Sequence, residues 1–342
     1  MPAREITAVI VSWRDAAETL AAVESLAKAR DRLGTDLLRV SLVVVDNDGG
    51  ALDRNLLLAR WPDVTLLVNA QNRGFGPAVN QAAKVASGDV LLLLNPDTRA
   101  EGDPFTEIAR AFDENPSAVA VAPRLIDEAP ASGRLAAPGR EDQFTFQLRR
   151  LPRLRDDARE LLLIDHVAPN SRARRRFRYA DRDPGKPLEV EQPAAAALAV
   201  RSDAFRALGG FDESFVPAWF EDVDLCARLL ERGTILYWPR ARFRHRGGAA
   251  SESLGYGRFL PAYHRNAIRY RRRRYGVASR AAYRALLAAG MILRLAALPL
   301  RRPTRGRSES AGAYLRTLAV ALRPLPSGEG RGDGAEVAGA DR

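Results

Sequence analysis

The chain opens as a series of short apolar runs separated by amphipathic stretches. Ile6–Val11, Val40–Val45, Val64–Val68 and Val90–Leu94 are too short for buried helices and rich in Val, Ile and Leu. This pattern predicts parallel strands buried on both faces. After the first run, Asp15 with Glu18 three residues on has the form of a helix start, and Leu20, Val23, Leu26 and Ala27 supply its apolar stripe. Pro77 suits the first turn of a helix over Ala78–Val85. Strands alternating with helices at this spacing predict a doubly wound α/β sheet with helices on both faces.

Ligands of such sheets lie off the carboxyl ends of the strands, where Ser12, Asp46, Asn69, Asn72 and Asp97 all fall. Each alone would pass for a cap or turn residue; their shared placement is what points to a site. From Arg124 to about Glu191 the pattern weakens into short, charged, Pro-containing segments, read as a variable insertion. Regular structure returns with Ser202 as the expected N-cap of a helix over Asp203–Leu208. A further helix is expected around Val223–Leu230, stopped by Gly233, and then a strand over Ile235–Trp238. Beyond Tyr256 the chain reads as helical and strongly basic. From about Pro324 it is Gly-, Ala- and Ser-rich without periodicity, which predicts disorder. The expected division is thus a main domain over 1–255 with a variable segment at 124–191, a basic helical extension over 256–323, and a tail over 324–342.

Composition narrows the class. With 342 residues and 46% hydrophobic content the chain can bury a sizeable core, and its single cysteine, Cys226, excludes a disulfide framework or a multi-cysteine metal cluster. The first apolar run meets Ser12, Arg14 and Asp15 too soon for a signal peptide. The longest, Ala285–Leu300, is interrupted by Arg294 and Pro299 and falls short of the ~20 residues that cross a bilayer. A cytoplasmic protein, able to lie on a membrane but not span it, is expected. The net charge of +11 gathers at Arg172–Arg178, Arg269–Arg274 and Arg301–Arg307. Anionic lipid, a diphosphate-bearing acceptor and nucleic acid are all chemically suited to it, and a compositional bias toward Arg is the plainer source. The basic segments lack interleaved aromatic platforms apart from Tyr270 and Tyr275, which disfavours nucleic acid.

Three places carry chemistry. Asn95-Pro96-Asp97 delivers a carboxylate on a stiff leucine-rich strand, suited to Mg²⁺ or Mn²⁺ that completes its shell with phosphate and water; in isolation it is also an ordinary Asx turn. The block from Gly209 to Leu225 sets Asp212, Glu213, Glu221, Asp222 and Asp224 among large aromatics. Asp222 fits a general base with Glu221 beside it, although carboxylates at a helix start also serve as caps. His245 stands between Arg244 and Arg246, where a neutral imidazole suits a metal or a diphosphate contact. The Gly-rich turn Asn72–Pro77 opens a helix, but Val79 breaks the dinucleotide fingerprint and the chain has no Gly-Lys-Ser/Thr phosphate loop, which argues against kinase or ATPase chemistry.

Taken in order, Val11-Ser12-Trp13, Val45-Asp46-Asn47, Asn72-Arg73-Gly74-Phe75-Gly76 with Asn80, Asn95-Pro96-Asp97, Gly209-Gly210-Phe211-Asp212-Glu213, Glu221-Asp222-Val223-Asp224-Leu225 and His245 before Gly247-Gly248 resemble the family 2 glycosyltransferases of the GT-A fold, the bacterial rhamnosyltransferase type most of all. The series covers roughly residues 6 to 255. The resemblance implies a GT-A mixed sheet and an inverting, metal-dependent transfer from a nucleotide diphosphate sugar. Ser12, Asp46, Asn72, Gly74 and Asn95 would face the donor, with Asp97 and His245 at a divalent cation, Asp222 as base and Glu221 next to it. It also implies a glycan or polyprenyl-linked acceptor at the inner face of an anionic membrane, with rhamnose from dTDP-rhamnose as the first choice of sugar; galactofuranose, glucose or a mannose donor would satisfy the same residues. Asn95 departs from the two-acid form of the family's metal element, and Gln192-Pro193-Ala194-Ala195-Ala196 departs from the Gly-Ala pair near the acceptor. A catalytically silent protein of the same fold, binding anionic polysaccharide or membrane, is the rival reading.

Overall fold

The computed structural model describes residues 5–33, 38–127, 143–246, 255–300 and 307–323. The expected tail over 324–342 lies outside them. Two compact units divide the chain: one takes the described residues of Met1–Pro152, Asn170–Phe211 and Asp222–Ala249, the other those of Arg153–Pro169, Asp212–Glu221 and Ala250–Arg342.

The first unit is built on a sheet whose opening strands are those the apolar runs predict. They are β1 (Glu5–Ser12), β2 (Arg39–Asp46), β3 (Thr65–Val68) and β4 (Val90–Leu94), all parallel, in the order β3-β2-β1-β4. Alternate residues feed two cores. Ile6, Ala8 and Ile10 pack on one face with α1 (Ala16–Arg30), α2 (Arg54–Arg60) and, further along the sheet, α4 (Pro104–Glu114). Val9 and Val11 pack on the other with α3 (Phe75–Val85). Asp15 caps α1 by accepting from Glu18 N, as its sequence predicts. The third helix starts at Phe75, ahead of the predicted boundary, because Gly74 takes φ +92 at the N-cap.

The remainder of the sheet is mixed. Next to β4 runs β10 (Ala197–Arg201), antiparallel; beyond it lie β6 (Ala118–Asp127), β11 (Thr234–His245) and β5 (Thr98–Glu101) at the edge. The predicted strand Ile235–Trp238 is only the start of β11. Its second half alternates buried Ala241, Phe243 and His245 with exposed Arg240, Arg242 and Arg244, a one-faced strand rather than an apolar run. Pro123 and Pro239 coincide with a register shift between Trp238 and Arg242, as residues without an N–H would produce. Ser202 begins α9 (Ser202–Ala207) but does not cap it: its hydroxyl donates to Gly88 O at 2.5 Å. Between β6 and β10 the described chain forms only short pieces. These are α5 (Phe144–Gln147), β7 (Leu148–Arg149), α6 (Leu154–Leu161), α7 (Ile164–Val167), α8 (Arg172–Phe177), β8 (Leu188–Glu189) and β9 (Gln192–Pro193). The helix expected at Val223–Leu230 is α10 (Glu221–Leu229).

The second unit centres on a long helix, Tyr256–Ala297, broken at Gly276, whose φ of 82° departs from helical geometry. The helix Arg307–Leu322 packs along it. Arginines cap helix ends: Arg294 donates to the carbonyls of Glu160 and Leu161 at the end of α6, and Arg284 to those of Ala321 and Arg323. In its interior His264 Nδ1 lies 2.8 Å from Tyr283 Oη, and Arg271, 2% exposed, pairs with Asp157. Among the described residues no helix is long and apolar enough to cross a membrane.

Candidate active site

Register brings the chemistry to one edge of the sheet. Ser12 is level with Asp46, Leu94 with Ala197, and His245 with both Thr98 and Asp127. The carboxyl ends of β1, β2, β4, β6 and β11 therefore gather Ser12, Asp46, Asp97 and His245 where a doubly wound sheet binds its ligand.

The residues expected at the donor are part of a tightly bonded turn system. Asp46 accepts from Asp48 N and Leu52 N, both at 3.0 Å, and so shapes the loop after β2. Ser12 Oγ accepts from Thr19 Oγ1 at 2.8 Å. The hub is Asn47, for which residue types and spacing suggested no role. Its Oδ1 accepts from Asn69 Nδ2 and Arg73 N, and its Nδ2 donates to Asn72 Oδ1 and Gly74 O. Asn72 in turn accepts from Gly74 N at 2.8 Å. One buried amide thus ties β2 to the Gly-rich turn that starts α3, and the turn's backbone is held in a single form.

Asp97 and His245 come together across β5 and β11. Both are 4% exposed, and His245 Nε2 stands 3.4 Å from Asp97 Oδ1 and 3.5 Å from Asn95 Nδ2. Behind the imidazole, Gln143 Oε1 lies 2.8 Å from Nδ1. Among the described residues no three His, Cys, Asp or Glu groups are placed to hold a metal ion together. A pair of one carboxylate oxygen and one imidazole nitrogen fits a divalent cation that takes its other ligands from a diphosphate and water.

Asp222, near the start of α10, is half-buried, and loss of solvent around it pushes its carboxyl above the usual carboxylate range. Backbone amides of Val223 and Ala195 and the charge of Arg149 pull it the other way. Oδ1 accepts from Val223 N at 2.8 Å, and Oδ2 from Gln192 Nε2 at 3.3 Å. The arrangement yields a carboxylate readily protonated yet held in one orientation, which general-base chemistry requires. Glu221 precedes it at 8% exposure. The Gly209-Gly210 turn is anchored by Asn80, whose amide donates to Phe211 O at 2.9 Å and accepts from Phe211 N at 2.8 Å.

Comparison with known proteins agrees with this architecture. The model of the family described as glycosyl transferase family 2 matches residues 7–179. The chain belongs to this family. An N-acetylglucosaminyl-diphospho-decaprenol L-rhamnosyltransferase of Mycobacterium tuberculosis, found in two strains, is 27% identical over 218 residues, a match spanning 60% of this chain and 66% of the relative. A mannosyltransferase from Pyrobaculum calidifontis, solved in complex with GDP-Man and Mn²⁺, aligns with a TM-score of 0.50 at 15% identity, over 93% of this chain and 88% of its own. GalNAc-T7, solved with UDP, GalNAc and Mn²⁺, aligns with a TM-score of 0.51 at 15% identity, over 81% of this chain; the chain spans about half, 51%, of that protein. The fold is that of the GT-A glycosyltransferases, with the helical C-terminal region added. Within this family member the predicted Asp97, His245, Asn95, Ser12 and Asp46 share one sheet edge, and Asn72 and Gly74 join them through Asn47. Gln143 lay in no motif, and Asn47 and Gln192 were quoted only within motifs and given no contact, because an uncharged amide carries no spacing signal of its own.

Proposed function

We propose that the protein is an inverting glycosyltransferase that moves L-rhamnose from dTDP-rhamnose to an N-acetylglucosaminyl acceptor carried on a polyprenyl diphosphate. The buried Asp97–His245 pair at the carboxyl edge of the sheet is the observation that carries the catalytic reading; the mycobacterial relative supports the choice of sugar and acceptor. Asp222 accepts the proton of the acceptor hydroxyl as that oxygen attacks the anomeric carbon, and Gln192 keeps the receiving carboxylate turned in one direction. A single displacement inverts the anomeric centre. Asp97 and His245 would hold a divalent cation, Mg²⁺ or Mn²⁺, whose charge stabilises the departing nucleotide diphosphate. Asn47, Asn72 and Gly74 keep the donor-side turn rigid, and Asn95 stands beside the imidazole. Glu221 lies next to the base and orients the acceptor. The basic long helix leaves Ile292 and Leu293 exposed, a surface suited to the anionic inner leaflet where such acceptors reside.

The test is transfer of radiolabelled rhamnose from dTDP-rhamnose to a synthetic polyprenyl-diphosphate N-acetylglucosamine, with UDP-galactofuranose and GDP-mannose as competing donors. It is run beside calorimetric titration of dTDP and UDP with and without Mn²⁺. Rhamnose transfer, with Mn²⁺-dependent dTDP binding lost in Asp97→Ala, is the expected result. Transfer from another donor would overturn the sugar, and no nucleotide binding under any metal condition would overturn the enzyme reading.

A further inference from the structure

Gln143 is bound more completely than a loop amide needs to be. Its backbone N–H donates to Leu125 O at 3.2 Å, and its side chain is buried. Nε2 carries two hydrogens and faces two acceptors, His245 O at 2.8 Å and Asp127 Oδ1 at 2.6 Å. With both hydrogens so used, the orientation of the amide is settled by its partners, and Oε1 must be the atom 2.8 Å from His245 Nδ1. An amide oxygen only accepts, so Nδ1 must carry a hydrogen. In the neutral imidazole Nε2 is then left with its lone pair, 3.5 Å from the donor Asn95 Nδ2 and 3.4 Å from Asp97 Oδ1, another acceptor. The Asn95 contact is long, so the lone pair and the facing Asp97 oxygen remain suited to a cation placed between them.

The neighbouring packing holds Gln143 in place. Four residues on, Gln147 acts as a rung of the sheet: its Oε1 accepts from Leu125 N at 3.0 Å and its Nε2 donates to Pro123 O at 2.5 Å. Since α5 is thereby docked on β6, and Asp127 of β6 is level with His245 of β11, Gln143 is placed beside the ring.

We infer that Gln143 is a positioning residue that holds His245 as the Nδ1–H tautomer and so keeps Nε2 available to a divalent cation. The purpose assigned to the lock rests on the reading of Asp97 and His245 as cation ligands; the lock itself does not. Nitrogen-15 spectra of metal-free protein at alkaline pH distinguish the tautomers, and the chain has only three histidines to assign, with His245→Ala identifying the signal. Wild type is expected to show the Nδ1–H signature. In Gln143→Leu the ring loses its acceptor, and Nε2–H, which can donate to Asp97, becomes the favoured form. Mn²⁺ affinity measured by electron paramagnetic resonance should then fall about 10- to 100-fold. Gln143→Glu loses the same two donated bonds but keeps an acceptor for Nδ1–H, so it is expected to retain the wild-type tautomer. An unchanged tautomer in Gln143→Leu, or an equal shift in both variants, overturns the lock. Saturable Mn²⁺ binding that is absent from wild type while the Nδ1–H signature is present overturns the cation reading instead.

Discussion

At the scale of single residues, Asp222 is asked to do two things that conflict. A carboxyl raised by burial binds its proton more tightly folded than unfolded, so its contribution to stability is greatest at low pH and declines as pH rises above the ordinary carboxylate range. Asp222→Asn is therefore expected to lower kcat about 10²- to 10⁴-fold while leaving thermal stability equal to or above wild type. The gain should be larger in alkaline than in acidic buffer, which differential scanning fluorimetry at several pH values would check. A loss of stability with pH-independent size would contradict a carboxyl raised by desolvation. Gly210 makes the opposite point. With φ +74 and the Asn80 amide where a Cβ would sit, Gly210→Ala should cost about 1–3 kcal/mol in denaturant unfolding, because it strains the backbone and displaces the Phe211 clamp together. Charged and ring-bearing groups such as Asp97, Asp222 and His245 were legible in the sequence because burying them is costly without a use. Asn47 and Asn80 stood in the quoted motifs without a role, and Gln143 stood in none, since their worth lies in partners 16 to 131 residues away.

At the scale of elements, what could be read followed from periodicity. The parallel strands β1, β2 and β4 are buried on both faces and announce themselves, while β3, expected to be buried likewise, is a half-exposed edge strand; β10 is an alanine-rich segment whose strand state is imposed by burial between β4 and β6. The second half of β11 alternates plainly, but the apolar run that marks its first half ends at Trp238. The contact of α6 with the long helix was invisible, because Asp157 and Arg271 are ordinary surface residue types until folding buries them. Burial lifts the Asp157 carboxyl to about 7, and the Arg271 guanidinium offsets this only in part. Since the folded carboxyl is the better proton binder, this packing is strongest at acidic pH and weakens as pH climbs from about 4 through about 7. Asp157→Asn should flatten that dependence. Arg271→Met should steepen it and cost about 3–5 kcal/mol, measured by urea unfolding across the same pH series.

At the scale of the whole molecule, a net charge of +11 without a membrane-crossing helix among the described residues sets an electrostatic expectation. Co-sedimentation with vesicles containing anionic lipid should exceed that with neutral vesicles and fall steeply as salt rises; equal binding to both would remove charge as the cause. Composition made this legible at once, whereas the assignment of residues 153–169 and 212–221 to the unit of the C-terminal helices left no trace in spacing. The same sheet that gathers the site also answers a hazard. At 12 residues β11 is the longest described strand, and a bare flank of that length would be a template for pairing with another chain. Instead its first half is covered by β8 at Leu236 and Tyr237, and its last four residues by β5. The other margin of the sheet is β3, only four residues long. Each described margin is therefore short, so the chain keeps an open sheet with a ligand-binding edge while offering little backbone for edge-to-edge pairing.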